Sequence, residues 1–172
     1  LGVDWAWPVM NGSSLGFLTR LLSANPQLAP IAEIPGVVRP LWLITAASGS
    51  ALTVYIVARR NLGADWAFLL LLLAILIFSP LGWVYYAWFL VPPLIAVGAE
   101  GFFRRQRALL LPAYAAAFWP LPLTLICQPS ALATATAGSI YFWGFLSLWV
   151  AALRDSPRQT RDTLPTWGPV RR

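Results

Sequence analysis

Three long stretches with few or no charged side chains constrain the fold of this chain more than any other feature. Residues 40–58 and 108–153 contain no charge, and residues 61–103 contain only Asp65 and Glu100, near the two ends. A helix crosses a hydrocarbon core about 30 Å thick with roughly 20 apolar residues. The first stretch therefore fits one crossing, and each of the other two fits two crossings joined by a short turn.

The composition agrees with a membrane protein. Charged residues make up 10% of the chain, against about 25% in soluble domains, and the mean hydropathy is +0.68. We therefore predict an all-α integral membrane protein with five transmembrane helices, at about 40–58, 62–79, 83–102, 108–127 and 138–153. Residues 1–38 are predicted to be an extracytoplasmic loop with a short interfacial helix, and residues 154–172 a disordered cytoplasmic tail.

The arginines predict the orientation of these spans. All twelve basic residues are Arg, and the five-span topology gathers ten of them on one face: Arg59, Arg60, Arg104, Arg105, Arg107, Arg154, Arg158, Arg161, Arg171 and Arg172. The positive-inside tendency makes that face cytoplasmic. Arg20, Arg39, the turn at 79–84 and the loop at 128–138 then lie outside. Arginines clustered between apolar runs also argue against a nucleic-acid partner.

The sequence lacks the residues that several kinds of functional site require. The chain has no His and one cysteine, Cys127, so it cannot form an intrachain disulfide and we expect no bound metal. It contains no Gly-rich phosphate loop and no hydrolase elbow. The sequence begins at Leu1 without a recognisable signal peptide, and we expect it to be a piece of a longer protein.

The segment NGSSLGFLTRLL, residues 11–22, predicts a short helix in the outer loop. A serine at position 13 or 14 can cap it, and Pro26 ends it. An apolar face is formed by Leu15, Leu18 and Leu22, with Thr19 and Ser23 pointing away. Such a helix suits the membrane interface, where Trp5 and Trp7 would act as anchors.

Two interpretations of this segment remain open. In the structural one, Asn11 and the serines only cap the helix, and Arg20 extends to the lipid headgroups. In the functional one, Arg20 holds an anionic, lipid-linked phosphate near the bilayer surface, because a guanidinium offers bidentate hydrogen bonds.

The turn FSPLGWVYYAWF, residues 78–89, allows a similar choice. Ser79-Pro80 ends a helix, since proline lacks a backbone donor and restricts the residue before it, and Gly82 lets the chain reverse. Trp83, Tyr85 and Tyr86 then form an ordinary aromatic belt. Alternatively, one of the adjacent tyrosines faces the protein interior and offers its hydroxyl to a sugar or phosphate, while aromatic faces suit sugar C–H surfaces.

Both stretches resemble motifs of one family. SPLGWVYYAWFLVPPL is similar to the Ser-Pro-x-x-Trp-x-His-His signature of glycosyltransferase family 87, the polyprenol-phosphate-mannose-dependent mannosyltransferase-like proteins of the GT-C superfamily. NGSSLGFLTRLL resembles that family's Asn-Gln-Ser-Leu segment, which precedes a short helix containing Arg. Two tyrosines stand where the family has its histidine pair. By this resemblance the substrate-binding residues would be Asn11, Ser13, Arg20, Ser79, Trp83, Tyr85 and Tyr86.

The resemblance implies the C-terminal part of a multi-pass glycosyltransferase in the cytoplasmic membrane of a bacterium, with a cytoplasmic C-terminus. It would transfer a hexose, with mannose as the expected sugar, from a polyprenyl-phosphate donor to a lipid or cell-envelope acceptor. Its partners would be membrane lipids and the lipid-linked donor, and no cofactor is implied. The family's catalytic base, an acidic residue in the first extracytoplasmic loop, would lie upstream of Leu1.

Two other functions remain as alternatives. A transporter or flippase segment would use broken helices, and the prolines Pro92, Pro93, Pro112, Pro120 and Pro122 fall within the predicted spans. The spans carry no charge at mid-depth, however, which argues against ion coupling. In a non-catalytic membrane scaffold, the prolines and aromatic residues would serve packing alone.

Overall fold

The computed structural model of the protein describes residues 8–26, 28–118 and 130–157, and within these ranges it is helical without a β-strand. The all-α class predicted from the sequence is therefore confirmed for this part of the chain. Eight α-helices are described: α1 Ser14–Leu22, α2 Val38–Arg60, α3 Ala64–Phe78, α4 Val91–Ala99, α5 Phe102–Arg105, α6 Leu111–Phe118, α7 Ala131–Ala135 and α8 Ile140–Asp155. Short 3-10 helices cover Pro35–Val37, Val84–Leu90 and Ala137–Ser139.

Two helical stretches within the described ranges are long and apolar enough to cross a membrane. They are Pro35–Arg60, which contains α2, and Ala131–Asp155, which contains α7 and α8. The helix α3 and the stretch Val84–Ala99 are apolar but shorter. Membrane insertion and the number of spans stay predictions.

The predicted span at 83–102 is not one continuous α-helix. It begins as the 3-10 helix Val84–Leu90 and becomes the α-helix α4 only at Val91. Pro92 and Pro93 explain the change, because proline has no backbone N–H and is tolerated only in the first turn of an α-helix. The predicted span at 108–127 begins as α6, and residues 119–127 lie outside the described part.

Helix α3 forms the centre of the bundle. Leu69, Leu70 and Leu73 are fully buried, and α3 packs against α2, α4 and α8. A helix that is apolar on every side suits such a position. Helix α2 lies at the periphery instead, where its Ile44 side chain is 63% exposed and Val54 58% exposed. An apolar outer surface of this kind favours contact with lipid or with another protein.

Aromatic contacts fix α2 against its neighbours. The Trp42 indole N–H donates to the carbonyl oxygen of Phe78 at 3.1 Å, and the Trp149 indole N–H donates to Thr53 Oγ1 at 3.0 Å. The Phe78 ring lies directly on Gly49, where any β-carbon would overlap it. Glycine at this position therefore allows α2 and α3 to approach closely.

Several predicted cytoplasmic arginines meet at one end of the bundle. The Arg60 guanidinium donates to Ser156 Oγ at 2.6 Å, and Arg105 forms an ion pair with Asp155 at 2.7 Å. Arg154 and Asp155 belong to α8, so these two residues are helical and not part of a disordered tail, as the sequence had predicted them to be. Residues 158–172 lie outside the described part. We call this the arginine end, and the opposite end, where α3 meets residues 79–84, the tip end.

Candidate functional site

The two sequence stretches that carry the family resemblance are in direct contact at the tip end. Gly12 N–H donates to the Gly82 carbonyl at 2.8 Å, and Val84 N–H donates to the Met10 carbonyl at 2.9 Å. These bonds surround an antiparallel bridge between Asn11 and Trp83. Segments separated by about 70 positions in the sequence thus share one site.

The Asn11 side chain joins the two stretches. Its Oδ1 accepts from the backbone N–H groups of Ser13 and Gly82, each at 3.1 Å, and its Nδ2 donates to the Pro80 carbonyl at 3.2 Å. Asn11 is fully buried. Its amide therefore acts within the protein, fixing the turn at 79–84 against the loop before α1.

Ser13 is the N-cap of α1. Its Oγ accepts from Gly16 N–H at 3.1 Å and donates to the Pro80 carbonyl at 3.3 Å. The predicted choice between two serines is thus resolved in favour of position 13, because Ser14 is already the first helical residue. Helix α1 ends at Leu22, with Ser23 as its C-cap, so Pro26 is not what stops it.

The polar face of α1, not its leucine face, is the more buried one. Thr19 and Arg20 are 2% and 0% exposed, and Ser23 is also buried, whereas the leucines at 15, 18 and 22 are only half-buried. The predicted leucine face is therefore the outer face of α1 in this fold, and the polar face is the inner one. The reason is the Arg20 side chain, whose partners all lie inside the fold.

Arg20 connects three segments. Its Nε donates to Ser139 Oγ at 3.2 Å, and its Nη1 donates to the carbonyls of Pro8 and Asn11 at 3.0 and 2.9 Å. Ser139 in turn donates to the Thr134 carbonyl at 2.8 Å. The outer connection around 130–139 is thereby drawn to the same end as the other two stretches.

The Arg20 charge is not balanced by a carboxylate within the described ranges. The one ion pair found there joins Arg105 to Asp155, at the other end of the bundle. Desolvation by burial lowers the pKa of Arg20 to about 9, so the side chain is still a cation at neutral pH. In this conformation the cation does not reach the surface, and it does not extend to headgroups as the structural interpretation expected.

Among the described residues, three buried side-chain atoms lack a protein hydrogen-bond partner. All three belong to α1 or its C-cap. They are Ser14 Oγ, Arg20 Nη2 and Ser23 Oγ. A buried donor left without a partner lowers the free energy of unfolding by about 1–3 kcal/mol. A native structure that keeps such a group often uses it for a function such as ligand binding. Helix α1 is therefore the strongest candidate for contact with a ligand.

The aromatic residues of the turn point outward. Tyr85 is 50% exposed and Tyr86 41%, so neither tyrosine faces the protein interior as one interpretation expected. The Trp83 and Tyr85 rings stack with centroids 5.7 Å apart, and Tyr86 packs edge-on against Tyr85 at 4.9 Å.

The remaining turn residues, Ser79 and Gly82, determine the path of the backbone. Ser79 is half-buried and takes an extended conformation that ends α3. Gly82 is buried with an ordinary backbone angle, and a β-carbon there would overlap the carbonyl oxygen of Leu76. Glycine is thus required for close backbone contact, which is a different reason from the chain reversal that the sequence suggested.

A cavity of about 420 Å³ lies beside α1 at the tip end. Ser14, Phe17 and Leu18 form its α1 wall, and Phe78 and Trp149 lie opposite them. Its lining is almost wholly apolar. Neither this cavity nor the bond between Arg20 and Ser139 could be predicted from the sequence, because both depend on contacts between distant segments.

Within the described part of the chain, no group of His, Cys, Asp and Glu side chains could hold a metal ion. Comparisons with protein-family models, with curated proteins and with solved structures found no match to this chain.

Proposed function

We propose that this chain is part of an integral-membrane glycosyltransferase that transfers a hexose from a polyprenyl-phosphate donor to a lipid or cell-envelope acceptor. The observation that carries the proposal is the convergence of residues 8–13, 79–84 and 134–139 around the buried Arg20. The two motif-bearing stretches are in direct contact, which supports the proposal, and exposed aromatic rings border that contact.

The accessible rings are the best candidates for contact with the sugar. Trp83 and Tyr85 form a stacked pair beside the Asn11 bridge, and a sugar's C–H surface packs well on such rings. The hydroxyls of Tyr85 and Tyr86 can donate hydrogen bonds to a sugar or a phosphate oxygen. These tyrosines replace the histidines of the resembling family, so a proton-transfer role is not assigned to them.

Asn11, Ser13 and Arg20 take a positioning role in this proposal. Their hydrogen bonds hold the turn at 79–84 against α1, and the buried guanidinium adds positive potential at the end where an anionic donor would bind. The reaction would be a direct displacement at the anomeric carbon, with the sugar leaving the donor phosphate. The proposal leaves the catalytic base to a part of the protein upstream of Leu1.

The test is a transfer assay in membranes that contain the complete gene product, with radiolabelled polyprenyl-phosphate mannose as the probe. Label should appear in a lipid or envelope fraction, and Trp83→Ala should lower the rate at least tenfold. Trp88→Ala is the matched control, because Trp88 lies in the 3-10 helix that follows Trp83, is 76% exposed and should leave the rate within twofold.

Comparable protein levels and unfolding temperatures for the two tryptophan variants would exclude a folding defect. A wild-type protein that transfers no hexose, from mannose or from glucose donors, would refute the proposal. Equal rates for the two variants would refute the assigned role of the Trp83 ring. Movement of the labelled donor across vesicles without transfer would instead support the flippase alternative.

A further inference from the structure

The arginine end of the bundle carries an excess of positive charge. Its described residues include three carboxylates, Asp65, Glu100 and Asp155, against six arginines: Arg59, Arg60, Arg104, Arg105, Arg107 and Arg154. Arg60 holds the end of α8, and Arg105 neutralises Asp155. The other four arginines form no ion pair with any residue that the structure describes. This end therefore presents a cationic surface that is complementary to an anionic partner.

Two guanidinium groups converge on one side of Gly101. A β-carbon on Gly101 would lie 3.2 Å from Arg105 Nη1 and 3.7 Å from Arg104 Nη2. The Arg105 donors are occupied, since Nε and Nη2 donate to Asp155 and Nη1 donates to the Glu100 carbonyl. Arg104 is exposed, and its guanidinium has no hydrogen-bond partner in the described part of the chain. The Arg104 donors can therefore bind an anion, and the neighbouring Arg105 adds positive potential at the same place.

Exposed apolar side chains lie about one helical turn inward from these arginines. Tyr55, Phe68 and Ile95 are exposed, and each lies four or five residues from the arginine end of its helix, α2, α3 or α4. That distance is about 6–8 Å along a helix axis. The Arg59 guanidinium also lies over the Tyr55 ring, 5.9 Å from its centroid. Positive charge at the end of the bundle is thus followed directly by a surface suited to hydrocarbon.

This sequence of surfaces matches a phospholipid better than a soluble anion. The phosphate of a phospholipid lies at the edge of its acyl chains, so a lipid contacts both surfaces together, whereas a soluble anion contacts only the first. Anionic headgroups also attract arginines that lie beside the cytoplasmic leaflet. A guanidinium binds a phosphate through two parallel hydrogen bonds.

We infer that the arginine end binds the headgroup of an anionic phospholipid, with its phosphate accepting hydrogen bonds from Arg104 and its acyl chains lying against the exposed apolar side chains of α2, α3 and α4. The inference rests on the membrane location in the proposed function but not on the transfer reaction.

Photolabelling tests the inference. The complete protein is placed in nanodiscs of mixed phosphatidylglycerol and phosphatidylcholine, with a trace of one of these lipids carrying a diazirine on an acyl carbon close to the glycerol. In peptides that contain Tyr55, Phe68 or Ile95, labelling by phosphatidylglycerol should exceed labelling by phosphatidylcholine about fivefold, the usual contribution of one arginine near an anionic surface. At the tip end, in peptides that contain Ile31 or Leu132, the two lipids should label within twofold of each other.

Arg104→Gln should lower the preference for phosphatidylglycerol at least threefold. Arg39→Gln is the matched control, because Arg39 is also an exposed arginine near a helix end but lies at the tip end, and it should leave the preference unchanged. Higher salt should weaken the preference of the wild type, since exposed charges are screened. Equal unfolding temperatures of the two variants would exclude a folding defect.

An equal preference at the two ends of the bundle would overturn the inference, and so would an equal effect of the two arginine substitutions. Loss of the preference in the presence of inorganic phosphate, at constant ionic strength, would also overturn it, because the arginines would then bind a soluble anion. A preference that depends on Arg104 without any hexose transfer would support the lipid site while refuting the proposed function, and transfer without the preference would do the reverse.

Discussion

Replacing Arg20 separates the cost of burying its charge from the value of its hydrogen bonds. The fall of its pKa from 12.5 to about 9 corresponds, at about 1.4 kcal/mol per pH unit, to roughly 5 kcal/mol of desolvation cost. In Arg20→Met that cost is recovered. The same change leaves Ser139 Oγ and the Asn11 carbonyl without this donor, at about 1–3 kcal/mol each, whereas the Pro8 carbonyl still accepts from Asn11 N–H.

The two effects nearly cancel for methionine. We expect the free energy of unfolding of Arg20→Met to lie between about 3 kcal/mol above and 1 kcal/mol below that of the wild type. Arg20→Lys keeps the buried charge but has one compact ammonium in place of the planar fork, so it cannot reach all three acceptors. Lysine should therefore be the less stable variant, by about 2–3 kcal/mol relative to methionine.

The assay is denaturant unfolding of the purified protein in micelles, followed by tryptophan fluorescence and circular dichroism. The pH dependence provides a second measurement. Because the folded-state pKa lies below the unfolded value, the unfolded chain retains its proton to higher pH, and the wild type should gain stability relative to Arg20→Met as the pH rises above about 9. Below pH 8 the difference between them should be constant.

Two results would refute this reasoning. If lysine were as stable as arginine and methionine were several kcal/mol worse, the charge itself would be stabilising, and an anionic partner would have to lie beside it. If all three proteins had the same stability, the Arg20 hydrogen bonds would contribute nothing to the fold.

The sequence predicted local features of α1 well but did not predict which of its faces packs against the rest of the protein. A serine before an apolar periodic run is a local signal, and the helix does begin beside Ser13. The periodicity of the leucines predicted one apolar face but not that the polar face is the inner one, which follows from the buried Arg20 and its three internal acceptors. The contact between Arg20 and Ser139 joins segments far apart in the chain, so neither local sequence predicts it.

The turn at 79–84 was predicted from its proline. Its backbone contacts with Leu76 and with the loop before α1 were not predicted. Ser79-Pro80 ends α3 by local backbone restrictions, which are visible in the sequence. The role of Gly82 depends on Leu76 and the loop before α1, which come close only in the fold. The change from 3-10 to α geometry before Pro92 could have been predicted from the two adjacent prolines, since neither has a donor for a helix interior.

Two further predictions concern packing. Gly82→Ala should lower the free energy of unfolding by about 2–4 kcal/mol, since the added methyl overlaps a carbonyl of α3; Gly36→Ala, which meets open space, should change it by less than about 0.5 kcal/mol in the same denaturant titration. The hydrogen bond between Trp149 and Thr53 joins α8 to α2 in the core and is buried on both sides. A double-mutant cycle with Trp149→Phe and Thr53→Val should give a coupling energy of about 1 kcal/mol, because Thr53→Val alone leaves the buried indole N–H without an acceptor, whereas Trp149→Phe removes that donor and leaves Thr53 Oγ1 bonded to the Gly49 carbonyl. Additive effects of the two substitutions would mean that α2 is held by the Phe78 contact at Gly49 and not by this bond.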